Sequence, residues 1–503
     1  MKKTSLLLPV VALLILPSCS SSKLNLEKNA PDYSDAKGEF ITYGYASPTN
    51  GNYYVDGVTI NTGENYQTVE RYKEYKEAGL NTMMLQYEDR FPLAGETEFS
   101  TSHCKQLMDL CVEAGIERCI ITDNRFRTLS GSEVQIVGSG AEFSSQAELN
   151  AYVASAINDY ANHPAFYGLL LVDEPRYYQL DAFGAVYKAI KAYDPNIYIE
   201  SNLLPYTEGE DARKRFSPDW ETMTQEEAYL DYLERYFKAA ESEKVLMDDY
   251  PFRLRNNNEI IKDGFFKGIQ ILANYCRDNN LIFETVAQSM GGKNGGNPAW
   301  SMPTLPTLEW QLNNYMSMGS EKFAFFTYWR KVSNSTTGEW FNDGESFMTS
   351  DGHRTSVYYN AQTVLKEMQA FAPVILSFKY QASKSLAAEP VAFPISYADM
   401  KDMDFALFTN DDVTVEEGRM VTMYELYDKD KDNYMYSVMN AMDPRLYSVE
   451  KDLTLEYSIN FGSKYNAVEV YYRGNKKLVA LNKGVYSSKL DAGYAEYLIP
   501  YKA

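Results

Sequence analysis

Two adjacent carboxylates, Asp173 and Glu174, follow an aliphatic run in the stretch LLLVDEPRYY (169–178). Neighbouring carboxylates repel one another and raise one another's pKa, so a chain gathers them at a cost. A carboxyl that stays protonated near neutral pH, opposed by a second negative group, can act as a general acid. The alternative is a surface salt bridge with Arg176, or an acid that favours the start of the next helix. Because the pair directly ends an apolar run, we favour catalysis.

Other polar and aromatic residues stand at the ends of comparable apolar runs: Glu88, Asp89, Asp123, Asp248, Asp249, Tyr250, Gln288, Tyr328 and Trp329. Flat amphipathic rings and hydrogen-bonding groups suit a sugar. The residues that we assign to substrate binding are Asp123, Asp248, Tyr250, Gln288, Trp300 and Trp329. The DDYP stretch at 248–251 fits a solvated turn equally well. Loop packing would equally explain three further rim candidates, Tyr177, Tyr178 and Trp340.

Eight apolar runs, each followed by a helical pattern, would position these residues. They are FITYGYA (40–46), TMMLQY (82–87), RCIITDN (118–124), FYGLLLVDE (166–174), NIYIESNLL (196–204), KVLMDDYPF (244–252), LIFETVAQS (281–289) and KFAFFTYW (322–329). Such runs are typical of parallel strands covered on both faces. Eight strand and helix units predict an α/β fold, a (β/α)8 TIM barrel over residues 39–375, whose active site lies at the carboxyl ends of the strands. An open doubly wound sheet is the alternative, but no GxGxxG follows the first run.

The two ends of the chain have different patterns. Short alternating segments separated by turn residues predict a C-terminal all-β sandwich domain over residues 376–503. At the other end, residues 1–19 resemble a lipoprotein-type signal peptide, with Cys19 as the lipidation site and residues 20–38 as a polar tether. We therefore expect an exported protein, lipid-anchored at the bacterial outer membrane or cell surface. The alternative is a simple cleaved signal.

Charge and cysteine usage narrow the choice of partners. The net charge of −21 argues against nucleic acid or an anionic membrane surface, and a neutral ligand fits better. The thiols Cys104, Cys111, Cys119 and Cys276 form no metal-binding pattern, and we expect them to be buried and free. No metal or cofactor is predicted, and membrane contact is expected only through the N-terminal anchor.

The stretches HPAFYGLLLVDEP, FFTYW and DGHRTSVYYNAQTVLKEMQAFAPV resemble the retaining glycosidases of clan A, especially the β-galactosidase-type family 42. This resemblance implies that Glu174 is the acid/base and that Trp329 is a sugar platform. Two positions depart from that pattern. Asp173 replaces the asparagine before the acid/base, and Gln288 stands where strand seven carries the nucleophilic glutamate. Glu284 lies about four residues too early, so we expect a buried, paired structural acid.

The Asp-Glu pair also resembles families 18, 20 and 123, which cleave N-acetylhexosaminides. There the substrate's own acetamido group attacks, the glutamate is the acid/base and the aspartate orients the acetamido group. That likeness implies such roles for Glu174 and Asp173, with Tyr250 as a hydrogen-bonding residue and Trp329 as the pocket floor. Because successive strand residues point to opposite sides, it requires the chain to bend at the pair.

The leading hypothesis is thus an exported glycoside hydrolase that acts on an extracellular oligo- or polysaccharide. Its mechanism is open between substrate assistance and a two-carboxylate scheme, in which Asp123 or an aspartate of strand six serves as the base. The rival hypothesis is a non-catalytic glycan-binding surface lipoprotein with a degenerate barrel.

Overall fold

A computed structural model describes residues 24–55, 58–61, 64–85, 101–255, 258–294, 297–329, 346–388, 400–446 and 452–503. Eight parallel strands form the central sheet: β1 (Ile41–Gly44), β2 (Met83–Leu85), β3 (Cys119–Ile121), β4 (Phe166–Asp173), β5 (Tyr198–Leu203), β6 (Lys244–Asp248), β7 (Ile282–Gln288) and β8 (Ser320–Phe326). The predicted eight-stranded barrel is confirmed, because sequential strands are neighbours and β8 pairs with β1. The seam between β1 and β2 is bridged by the backbone amides of Asn81 and Thr82, which donate to the carbonyl of Thr42.

Helices cover the outside of this barrel. The described ones are α1 (Val69–Glu77), α2 (Thr101–Glu113), α3 (Asn124–Ser130), α4 (Gln146–Ile157), α5 (Leu180–Tyr193), α6 (Glu210–Phe216), α7 (Gln225–Ala240), α8 (Phe265–Asp278), α9 (Leu305–Ser317) and α10 (Ser356–Ile375). In α2, residues at helical spacing bury one face, and Cys104 and Cys111 belong to it. All four described cysteines are buried and free, as predicted. None of the described helices is long and apolar enough to cross a membrane.

Each strand contributes a buried apolar side chain to the barrel interior. These residues are Tyr43, Met84, Ile120, Leu170, Tyr198, Leu246, Val286 and Ala324, and Tyr45 lies just beyond β1. A second, larger core lies between the strands and the helices. The interior is therefore a packed layer, above which the carboxyl ends of the strands are open for a site.

A charged cluster lies at the opposite, amino-terminal end of the interior. Glu284 is fully buried and accepts hydrogen bonds from Lys244 at 2.9 Å and from Lys322 at 2.6 Å. The two ammonium groups lower the pKa of Glu284 to about 2, against the effect of burial. The hydroxyl of Tyr198 also donates to this carboxylate at 2.7 Å. The expectation that Glu284 is a buried, paired structural acid is confirmed.

The C-terminal part is the predicted all-β domain. Its larger sheet contains β9 (Lys379–Ala387), β11 (Met420–Asp428), β12 (Asn433–Asn440), β14 (Ala467–Tyr472), β15 (Asn475–Ala480) and β17 (Ala495–Tyr501). The smaller one contains β10 (Val413–Val415), β13 (Leu455–Asn460) and β16 (Val485–Leu490). Both sheets are antiparallel and bury a shared core, in which Val438 and Ile459 lie on opposite sheets.

Residues 24–38, which we predicted as part of a polar tether, lie on this β domain. The Tyr33 side chain is buried, and its hydroxyl donates to Asp428 at 3.1 Å. The Tyr501 hydroxyl donates to the carbonyl of Leu26 at 2.5 Å. This part of the predicted tether is therefore packed against the folded domain.

Candidate active site

The carboxyl end of β4 is irregular, and the irregularity positions both acids. Opposite β5 the register shifts between Leu170 and Val172, so Leu171 is an extra residue. Leu170 points into the barrel interior, whereas Leu171 and Val172 both belong to the outer core. Because this bulge reverses the alternation, Asp173 faces the barrel mouth.

The next residue turns the chain. Glu174 adopts a left-handed backbone conformation, with φ of 49°, directly before Pro175. That conformation is uncommon for a residue with a side chain and costs about 1–2 kcal/mol. The Glu174 amide donates to the carbonyl of Asn202 at 2.8 Å, which fixes the turn against β5. The bend that the second resemblance requires is present.

Asn202, near the end of β5, also holds Asp173. Its side-chain amide donates to the Asp173 carboxylate at 3.0 Å, and the asparagine is buried. One pleat deeper, Glu200 is fully buried and accepts a hydrogen bond from the Tyr45 hydroxyl. Burial raises the pKa of Glu200 to about 8, so this carboxyl is protonated at neutral pH. The floor beneath Asp173 is thus polar without being strongly charged.

Glu174 opens onto a cavity of about 640 Å³, the Glu174 cavity. Its walls come from Glu174 after β4, from the segment after β5 that includes α6, from the end of β6, and from two hairpin strands, Phe252–Arg255 and Asn297–Trp300. Among its lining side chains are Asp248, Tyr250 and Trp300, which we predicted as substrate-binding residues. The volume is within the range that a sugar-sized ligand occupies.

Two carboxyls on this wall have raised pKa values. Burial, followed by the charge of Asp173, raises the pKa of Glu174 above its ordinary value. Burial, followed by the charges of Glu174 and Asp173, raises the pKa of Asp248 well above its ordinary value. Ionisation of Glu174 therefore disfavours ionisation of Asp248.

Aromatic and cationic groups complete the cavity. Tyr250 stacks on Phe326, with ring centroids 5.7 Å apart. The Arg253 guanidinium lies over the Trp300 ring, 4.9 Å from its centroid, and these two residues pair across adjacent hairpin strands. Arg215, on the last turn of α6, adds a second guanidinium.

The structure corrects the assignment of Gln288 to substrate binding. Its side chain is fully buried, and the carboxamide oxygen accepts from the Phe252 amide at 3.0 Å. The nitrogen is within hydrogen-bond distance of the carbonyls of Phe252, Met290 and Ser301, at 3.0–3.2 Å. Gln288 therefore ties the hairpins that carry Arg253 and Trp300 to the end of β7, and has no group left for a ligand.

Asp123 is corrected in the same way. It is fully buried and caps α3, where its carboxylate accepts from the Arg125 amide at 3.0 Å. It also forms an ion pair with the Arg125 guanidinium at 2.7 Å and accepts from the Tyr160 hydroxyl at 3.0 Å. Asp123 is therefore a structural acid of the loop after β3, and it does not line the Glu174 cavity.

The aromatic residues after β8 are also core residues. Trp329 is 1% exposed and packs on Tyr66 with ring centroids 4.8 Å apart, and Tyr328 is fully buried. Neither lines the Glu174 cavity, so the assignment of Trp329 to substrate binding is corrected to packing.

Tyr177 and Tyr178 lie outside the cavity lining as well. Cys19, Glu88, Asp89 and Trp340 lie outside the described residues.

Sequence reasoning missed Asn202, Glu200, Arg215 and Arg253. The segment IESNLL at the end of β5 contained a signal for Glu200 and Asn202. These two polar residues interrupt a largely apolar strand, and they are two positions apart, which is the period of a strand. Arg253 and Arg215 had no comparable signal, because they belong to a hairpin and a short helix whose placement depends on the tertiary fold.

The arrangement can protonate a leaving group. Glu174 is poised to carry a proton into a cavity with aromatic and polar walls, while Asn202 orients Asp173 beside it. At the end of β7, where a nucleophilic carboxylate was expected from the first resemblance, the described residues present the engaged amide of Gln288. Strand-end carboxyls close to Glu174 in the described residues include Asp173 on β4 and Asp248 on β6.

No protein-family model and no curated protein sequence matches the chain. Solved structures with a similar layout include an Anoxybacillus alpha-amylase, at 12% identity and a TM-score of 0.46, covering 94% of this chain and 99% of that one. A glycoside hydrolase family 5 protein from Bacteroides vulgatus has 12% identity and a TM-score of 0.45, with 92% and 89% covered. A family 27 β-L-arabinopyranosidase from Geobacillus stearothermophilus has 10% identity and a TM-score of 0.46, with 94% and 98% covered. Likeness of this degree assigns no reaction to the chain.

Proposed function

We propose that the protein is a glycoside hydrolase in which Glu174 donates a proton to the leaving glycosidic oxygen. The observation that carries this proposal is the left-handed turn at Glu174, which directs a carboxyl with a raised pKa into the Glu174 cavity, next to Asp173 and Asp248. Strained backbone conformations cluster at active sites and ligand-binding sites. A carboxyl with a raised pKa in a sugar-sized cavity suits the general acid of glycosidic bond cleavage.

For the second catalytic group, we propose assistance by a 2-acetamido group of the substrate, oriented by Asp173. The acetamido oxygen attacks the anomeric carbon while Glu174 protonates the departing oxygen, which gives a cyclic oxazolinium ion. Water then attacks the same carbon, Glu174 takes its proton, and the ring reopens. The support is the hydrogen bond from Asn202, which fixes Asp173, together with the engaged amide of Gln288 on β7.

The first test is Glu174→Gln, which keeps the shape of the side chain and removes the proton donor. Because general acid catalysis contributes roughly 10²–10⁴-fold, hydrolysis should fall by at least about 100-fold while the thermal unfolding midpoint stays nearly unchanged. The matched control is Glu221→Gln, at an exposed glutamate outside the cavity lining, which should leave the rate unchanged. A fully active Glu174→Gln variant would exclude this role.

Substrate assistance is tested with aryl glycosides in pairs that differ only in a 2-acetamido or a 2-hydroxyl group. Cleavage should be confined to the acetamido sugars and blocked by a thiazoline mimic of the intermediate. Fast cleavage of a 2-hydroxyl glycoside would exclude Asp173-directed assistance and favour Asp248 as the second group. Binding of glycans without cleavage of any glycoside would favour the rival hypothesis, a non-catalytic glycan-binding lipoprotein.

We also propose that the protein is exported and lipid-anchored through Cys19, which rests on the N-terminal sequence alone. Growth with a labelled fatty acid should yield labelled protein in the membrane fraction. The Cys19→Ser variant should carry no label.

A further inference from the structure

We propose that the Glu174 cavity recognises an anionic sugar, one that carries a carboxylate or a sulfate, through Arg253 and Arg215. This inference rests on the proposed function and narrows its substrate class. Both guanidinium groups line the same cavity as Glu174. A guanidinium matches planar anionic groups with two parallel hydrogen bonds, and a charge-assisted bond is about twice as strong as a neutral one.

Arg253 is held in place before any ligand arrives. Its guanidinium stacks on Trp300, and the two strands that carry these residues pair at this position. Arg253 is only partly exposed, and burial lowers its pKa in spite of the nearby Asp249 and Asp248. No ion pair joins Arg253 to a carboxylate among the residues that the structure describes. A preorganised, largely buried cation without an ion-pair partner calls for an anion.

The acids of the cavity do not supply that anion. Asp249 is paired with Lys262 at 2.7 Å and Glu210 with Lys214 at 2.6 Å. Glu208 lies 3.9 Å from the ammonium of Lys267. Burial raises the pKa values of Glu174 and Asp248, and Asp211 is an exposed lining residue in the first turn of α6. In the described part of the chain, none of these six lining acids forms an ion pair with Arg253 or Arg215.

Arg215 complements Arg253 on the side of the catalytic acid. The side chains of Arg215 and Glu174 both line the Glu174 cavity, and the charge of Arg215 lowers the pKa of Glu174. Within the described part of the chain, Arg215 also forms no ion pair with a carboxylate. The net charge of −21 does not oppose local recognition, because exposed charges more than about 8–10 Å away are largely screened at physiological salt.

The test measures binding of glucuronate against glucose, of galacturonate against galactose, and of glucose 6-sulfate against glucose, by titration calorimetry with the full-length protein. At least one anionic sugar should bind about tenfold or more tightly than its neutral parent, equal to about 1.4 kcal/mol. The carboxylate and sulfate arms identify which anion is recognised. Arg253→Gln and Arg215→Gln should each remove most of this preference.

The matched control is Arg255→Gln, which makes the same charge change on the same hairpin at a residue that is exposed, pairs with Asp263 and lies outside the lining. It should keep the preference. Equal binding of neutral and anionic sugars, no saturable binding of any anionic sugar, or an unchanged preference in Arg253→Gln would overturn the proposal. A wild-type protein that binds the anionic sugar but hydrolyses no glycoside would reject the proposed enzyme and keep the proposed subsite. Repeating the titration with Glu174→Gln measures binding of the anion when the proposed acid is absent.

Discussion

At the residue scale, one extra residue and one left-handed residue bring Asp173 and Glu174 to the same side of the sheet. Regular alternation would have sent adjacent side chains to opposite faces. The bulge at Leu171 turns Asp173 toward the mouth, and the positive φ of Glu174 turns the next side chain into the cavity. The proximity of the two carboxyls then contributes to the raised pKa that general acid catalysis needs.

The alkaline limb of the rate profile should reveal the proton on Glu174. A general acid works only when protonated, so kcat/KM falls as pH rises through its pKa. Asp173 raises that pKa and Arg215 lowers it. Asp173→Asn should therefore move the alkaline limb to lower pH, and Arg215→Gln should move it to higher pH. Both are measured from kcat/KM profiles that are normalised to their own maxima.

The control for these profiles is Asp219→Asn, at an exposed aspartate outside the cavity lining. It should leave the limb in place. Shifts of the two test variants in the same direction would mean that a group other than Glu174 sets the limb.

The sequence allowed this acid to be predicted, because a carboxylate pair at the end of an apolar run is a local pattern. It did not allow the structural roles of Asp123 and Gln288 to be predicted. Both also end apolar runs, but Asp123 is used by Arg125 and Tyr160, and Gln288 by three backbone carbonyls. The Tyr160 hydroxyl and the carbonyls of Phe252 and Ser301 come from other elements, so the tertiary fold decides which strand-end group is available to a ligand.

At the element scale, β7 ends in a brace for two hairpins. Eight apolar runs were enough to predict the barrel strands, because the hydrophobic pattern of a strand lies within a few consecutive residues. The hairpin strands Phe252–Arg255 and Asn297–Trp300 belong to a separate four-stranded antiparallel sheet. No comparable apolar run in the sequence predicted this sheet. Gln288 joins that sheet to the barrel, which explains why an amide occupies this position.

Replacing Gln288 by glutamate tests whether this position is a brace or a lost nucleophile. One oxygen of the carboxylate would keep the Phe252 amide as its donor, but the other would face the carbonyls of Phe252, Met290 and Ser301 in a fully buried place. Gln288→Glu should therefore lower the free energy of unfolding by about 3 kcal/mol or more, and should not raise the hydrolytic rate. Chemical denaturation followed by circular dichroism measures the first effect.

Gln362→Glu is the matched control, because the amide of Gln362 donates to one exposed carbonyl, that of Glu77, at 2.7 Å. Its cost should stay below about 1 kcal/mol. A stable Gln288→Glu variant with increased hydrolysis would instead identify β7 as the site of a vestigial nucleophile.

At the scale of the whole molecule, the β domain is part of the site's support. The side chain of Arg445 is only 4% exposed and extends from this domain to the hairpins. It donates hydrogen bonds to the Ser301 hydroxyl and, at 2.7 Å, to the carbonyl of Ile260. It also pairs with Glu259 and Asp443, each at 2.6 Å. Farther along the interface, the Tyr497 hydroxyl donates to Asn313 on α9 at 2.9 Å. The domain therefore fixes the cavity wall from behind.

Weakening Arg445 should consequently impair substrate binding at a distance. Arg445→Lys keeps the charge but loses the planar set of donors that reaches several acceptors at once. With the substrate identified in the glycoside panel, KM should rise about tenfold while kcat changes less, because the cavity wall loosens and the catalytic acid stays in place. Hydrogen exchange over residues 252–255 and 258–261 should increase. Arg419→Ala, at a β-domain arginine that donates to the carbonyls of Thr454 and Asp452, is the control and should change neither quantity.

A lysine at position 445 also keeps a cation beside Asp443, so the variant avoids leaving a buried carboxylate unpaired, a change that costs about 3–5 kcal/mol. For this reason, a folded Arg445→Lys protein is the informative one. Unchanged KM and unchanged exchange in the hairpins would mean that the β domain is attached to the barrel without supporting its site. A rise in both would show that the cavity is built jointly, with the barrel supplying the acid and the β domain holding the wall that carries Arg253 and Trp300.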